Sequence, residues 1–149
     1  MEWLVLLKLV HVLAAIVAVG ANVTYAFWIR LAGTDRERLT FTIGSIHWID
    51  MRVANPAYGL LAVTGVLMVV GGVATFQTGW LAAAIVLYVL AVLIGIVLYA
   101  PAIRRQLAAA EIDPTSGAYA ATARRSNLLG IVTLLIVLAI VVLMVTKPF

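Results

Sequence analysis

One stretch near the start of the chain concentrates side chains that can ligate, donate or relay protons. Lys8, His11, Asn22 and Tyr25 lie on a single stripe with Leu4, Ala15 and Ala18, spaced alternately four and three residues apart. That spacing places them on one face of a helix. His11 is the sharpest of these, because an imidazole can hold haem iron or copper or pass protons. Counting from the ends of the helices at 1.5 Å per residue puts His11 roughly 10 Å below the surface and Met68 at a similar depth. His11 and Met68 are therefore candidate metal ligands, as a His/Met pair on haem b or as a copper(I) site with Met144 nearer the surface. Asn22, Tyr25 and Tyr58 are candidates for hydrogen bonds to such a cofactor. The competing reading is a hydrogen-bonded histidine that only fixes helix packing.

His47 forms a second candidate pair, with Asp50 and Met51 at i+3 and i+4. A carboxylate that orients an imidazole is a device of metal and catalytic sites, but a solvated surface contact explains the same spacing. On a straight helix the two histidines would lie more than about 25 Å apart along the membrane normal, too far to share one cofactor. The sequence carries no phosphate-binding glycine loop, metalloprotease histidine pair or nucleophile elbow. Cysteine is absent, which excludes disulfides, thiolate metal sites and a cysteine nucleophile. The Asn22-Val23-Thr24 triplet matches a glycosylation sequon but falls within an apolar run.

The elements that must position these residues are transmembrane helices. Of the 149 residues 65% are hydrophobic and 11% charged, far from the balance of a water-soluble domain. Apolar runs at 3–29, 57–76, 80–99 and 128–145 each have the length a helix needs to cross hydrocarbon. The expected fold is an all-α, antiparallel bundle of four transmembrane helices forming a single domain over 1–149. The first run is too long and begins too acidically, at Glu2, for a signal peptide.

Eight of the ten basic residues flank the two long connections: Arg30, Arg36, Arg38 and Arg52, then Arg104, Arg105, Arg124 and Arg125. This bias predicts a multi-pass protein of the inner (plasma) membrane with both long connections cytoplasmic and both termini outside. Trp3, Trp80 and Phe149 would mark the outer interface and Trp28 the inner one. The net charge of +4 thus reads as a topology signal, and nucleic acid is not an expected partner.

The long connections read as helical extensions. Thr34 and Glu37 have capping-box spacing, and Leu39, Ile43, Ile46, Ile49 and Val53 form one apolar face. Pro56 predicts a kink or break at the membrane surface. The third helix is expected to run past Pro101 to Ile112, with a turn at Asp113–Gly117 and a fourth helix from about Tyr119. Matching seams are Tyr58, Leu61, Gly65, Met68 and Gly72; Tyr88, Val92, Gly95 and Tyr99; and Ser126, Gly130 and Thr133.

With His11 in a leucine-rich first helix and Pro56 leading an apolar run to Thr64 and Gly65, residues 4 to 73 resemble a bacterial family of small four-helix membrane proteins of unknown function. The pattern is also distantly similar to the membrane domain of copper-resistance D proteins and to the haem-binding protoporphyrinogen oxidase of bacteria. These resemblances imply a haem or copper role for His11. Two functions follow from the residues: a haem-binding or redox protein of the bilayer, or an accessory subunit of a larger membrane complex or small oligomeric transporter, copper included.

Overall fold

The computed structural model describes residues 2–148 and contains four long helices, α1 (Glu2–Ala32), α2 (Arg36–Val70), α3 (Gly79–Ile112) and α4 (Gly117–Thr146). All four are long and apolar enough to span a bilayer. They run up, down, up and down. Around the bundle α1 packs on α2, α3 on α4, and α1 on α4, while α2 meets α3 through the segments Arg36–Ile49 and Ala100–Ile112. One end carries both termini and the short turn between α2 and α3; it is called here the terminal end. All eight arginines lie exposed toward the other, basic end. Phe149 lies outside the described residues.

Helix starts follow side-chain caps. Asp35, rather than Thr34, is the N-cap of α2: its carboxylate accepts from the Arg38 N–H at 2.8 Å. The anionic oxygen satisfies an orphan donor more strongly than a hydroxyl would and favours the positive end of the helix dipole. Ser116 caps α4 by accepting from the Tyr119 N–H at 3.1 Å. Helix α2 stops at Val70, short of the apolar run that continues to Phe76, because Gly72 takes a left-handed φ of 81° and turns the chain. Gly72 is therefore exposed and takes no part in the α2 seam. At Gly71 an added Cβ would lie 2.6 Å from Leu4 Cδ2, so glycine there lets α1 close on the end of α2.

Neither proline breaks its helix. Each is preceded by a π-helical turn, Asp50–Ala54 before Pro56 and Ile94–Tyr99 before Pro101. The Asn55 N–H bonds to the Asp50 carbonyl and the Ala100 N–H to that of Gly95. The i to i−5 turn lengthens the loop just where proline removes a donor, so the helix continues without a break. The extra residue also rotates the buried face. Leu39, Ile43 and Ile46 are buried as expected, but burial then passes to Ala54 and Ala57 while Val53 is turned outward.

The apolar core sits at the basic end, where Ala32, Leu39, Ile43, Ile103 and Ala110 pack with Ile29, Tyr99, Leu107 and Tyr119. Within this core Gln106 is fully buried, accepting from the Ser126 hydroxyl and donating to the Tyr119 hydroxyl at 3.4 Å. Toward the terminal end the helices meet mainly through small residues such as Ala14, Ala18 and Ala84, and their large side chains face outward.

Candidate functional site

The polar stripe of α1 does not form one site. The structure divides it into two tiers, separated by the 11 residues from His11 to Asn22, roughly 16 Å along the helix.

In the first tier His11 faces α2. Its Nδ1 lies 2.7 Å from the Thr64 Oγ1, and its ring rests against Gly65, whose added Cβ would approach Cε1 to 3.6 Å. Thr64 donates its own proton to the Leu60 carbonyl at 2.7 Å. Its oxygen is thus left to accept from the imidazole, which places the ring proton on Nδ1. Nε2 then carries the lone pair, makes no hydrogen bond and is not sealed within the bundle. Thr64 was not part of the seam read from the sequence, because a lone threonine in an apolar run carries no periodic signal. Met68 is half-buried one turn beyond Thr64, about 6 Å along α2, and so is nearer the terminal end than His11 rather than level with it. Lys8 points out of the bundle, contrary to the expectation that it faces protein. Near a helix end its long stem can carry the ammonium to the interface, which relieves the cost of lipid exposure.

The second tier surrounds the π-turn of α2. Asn22 donates to the Tyr58 hydroxyl at 2.7 Å and to the Ala18 carbonyl at 3.0 Å. Tyr88 of α3 donates to the Tyr58 carbonyl at 2.8 Å, bridging α2 and α3 where their backbones do not otherwise approach. Asp50 lies near Tyr25, Tyr58 and Tyr99, which come from α1, α2 and α3. Tyr25 is 6% exposed, yet its hydroxyl has no hydrogen-bond partner of normal geometry although Asp50 stands beside it. The Nδ1 of His47 is likewise buried without a partner. The His47/Asp50 pair is therefore turned into the protein, not out to water, and Met51 is exposed instead of facing it. Asp50 is the one acidic side chain among the described residues that is not exposed.

The sequence singles out the residues of this tier but not their meeting, because the π-turn changes the register of α2 beyond Asp50. Asp50 continues the four- and three-residue spacing of Leu39, Ile43 and Ile46, and the π-turn that begins there shifts the burial after it to Ala54 and Ala57, a change of which a regular 3.6-residue period gives no sign. No group of three or more His, Cys, Asp or Glu with metal-binding geometry occurs among the described residues.

Four apolar helices, exposed large side chains around the middle of the bundle and a collar of arginines at one end define a polytopic integral membrane protein. Residues 5–148 match a family described as predicted integral membrane protein (DUF2269), and the chain belongs to that family. No curated protein and no solved structure matches it.

Proposed function

We propose that the protein binds haem b in the bilayer through His11. The observation that carries this reading is the contact of Nδ1 with Thr64, whose own proton goes to the Leu60 carbonyl; this favours the Nδ1–H tautomer and a free Nε2 lone pair. An anchored Nδ1–H with a free Nε2 is the arrangement of histidines that ligate metals.

The other residues suit the same group. Lys8, three residues from His11 on the neighbouring position of the helix surface, is exposed and can pair with a propionate. Met68 offers a thioether on the adjacent helix. Exposed Val12, Ile16 and Leu67 supply apolar surface that keeps water from the ligand nitrogen. Haem bound there would supply one-electron chemistry within the membrane. Asn22, Tyr25 and Tyr58 lie in the second tier, and this reading assigns them no contact with it.

The arginine collar supports placing the basic end at the cytoplasmic face of the plasma membrane, with His11 in the opposite leaflet. The test is a reduced-minus-oxidised visible spectrum of the purified full chain, expressed with added haem precursor. A Soret and an α band are expected, both lost in His11→Ala; a colourless wild-type protein overturns the proposal.

A further inference from the structure

At the basic end α3 and α4 border a cleft of about 200 Å³, lined by Ala102 and Arg105 of α3 and by Ala121, Thr122 and Arg125 of α4. Each wall carries one arginine, and among the described residues no acid lines the cleft. The Thr122 hydroxyl is committed to the carbonyls of Ala118 at 3.1 Å and Tyr119 at 2.8 Å, so the two guanidiniums are the donors the cleft offers. Both arginines are anchored from behind. Gln106 and Ser126, the next residues along the chain, are buried and hydrogen-bonded to each other. That bond ties α3 to α4 at the level of the arginines, so a ligand between them need not draw the helices together.

Two guanidiniums on one cleft are best satisfied by an anion that accepts from both, and phosphate oxygens match the planar fork of arginine. The depth of the cleft indicates where that phosphate comes from. Arg125 lies three residues, roughly 5 Å, outside the apolar run that begins at Leu128, and Arg105 lies six residues, roughly 9 Å, beyond Tyr99 at the end of the third run. The headgroup layer is roughly 5–8 Å deep on each face of a bilayer, so the cleft opens at the level of lipid phosphates. Toward the hydrocarbon the same faces turn apolar: Leu128 and Val132, one and two turns from Arg125, and Leu98, two turns from Arg105, are exposed. A free phosphate would use the arginines alone, whereas a phospholipid uses both parts of the surface. Basic pockets between transmembrane helices hold acidic headgroups in this way.

We propose that Arg105 and Arg125 together bind the phosphodiester of one anionic phospholipid, whose acyl chains lie along Leu98, Leu128 and Val132. The site is set by the Gln106–Ser126 bond behind it. It is independent of any cofactor at His11.

The test is native mass spectrometry of the full chain in mild detergent, titrated with phosphatidylglycerol and, in parallel, with zwitterionic phosphatidylcholine. One retained phosphatidylglycerol per chain is expected at concentrations where phosphatidylcholine does not bind. Arg105→Gln and Arg125→Gln should each weaken that binding about tenfold. Arg38→Gln, which removes an exposed arginine outside the cleft, should change it less than about twofold. Losses no larger in the cleft variants than in Arg38→Gln would mean general attraction to the collar and overturn the proposal. Equal binding of the two lipids, or binding of neither, overturns it as well. So does displacement of the lipid by equimolar inorganic phosphate, since the free anion would then be the ligand. Circular dichroism checks that each variant is folded; if one cleft variant is not, the other decides.

Discussion

The two ends of the bundle are held together by different forces. At the basic end Leu39, Ile43 and Ile103 are almost entirely enclosed, and the helices pack as they do in a water-soluble protein. Toward the terminal end the enclosed residues are chiefly alanines, with Thr64 and its bond to His11, while valines, leucines and isoleucines face outward. Where helices leave the lipid, burying apolar surface is favourable because water is the alternative. Within the lipid an exposed leucine costs nothing, so association rests on close approach of small residues and on hydrogen bonds. One chain thus uses two packing strategies, divided near the π-turns.

The largest effect should come from emptying the basic-end core. Ile43→Ala is expected to destabilise the protein by about 2–5 kcal/mol through lost burial and a residual cavity. Leu135→Ala, on an outward-facing position of α4, should change stability by less than about 0.5 kcal/mol. Unfolding in a mild detergent measures both, and equal losses would erase the distinction between the two ends.

A smaller effect is expected from the terminal half. Thr64→Val keeps the shape of the side chain but removes the acceptor for His11 Nδ1, and should cost about 1 kcal/mol. Nitrogen NMR of labelled histidine sharpens this: wild type should show the Nδ1–H tautomer of His11, and the variant a mixture. An unchanged tautomer would mean that Thr64 does not set the ring.

The smallest effect concerns the exposed turn between α3 and α4. Asp113 accepts from the Thr115 hydroxyl at 2.6 Å and from its N–H at 2.8 Å, and these bonds hold its carboxyl below the ordinary value of 3.8. A carboxyl so lowered contributes its stability in full above its unfolded value. That contribution disappears as pH falls through the lower folded value. Melting measured from pH 6 down to pH 3 should therefore show an acid-side loss that is reduced in Asp113→Asn; identical profiles would remove the turn from the acid response.

Much of the architecture was legible because lipid imposes a strong compositional rule. Four apolar runs, the clustered arginines, the helical extensions to Arg36 and Ile112, and the turn after Asp113 all follow from hydropathy, charge and turn chemistry. The errors are local. Apolar composition carried the second span to Phe76, but the backbone of Gly72 ends its helix at Val70. Proline at 56 suggested a kink or break, and the helix runs on through a π-turn without breaking. Lys8 shared the spacing of the polar stripe without sharing its burial.

The candidate sites were half legible. His11, Asn22, Tyr25 and Tyr58 stand out because polar groups are costly in a span. That His11 pairs with Thr64, that Asn22 pairs with Tyr58, and that Asp50 turns toward Tyr25 depend on the register between α1 and α2. By itself the sequence determined how many times the chain crosses the membrane and which end collects the positive charge, because both depend on sums over many residues. Which polar groups meet was decided only by the tertiary structure, since a single added residue in a π-turn rotates one helix face against another, and no sum over composition records that rotation.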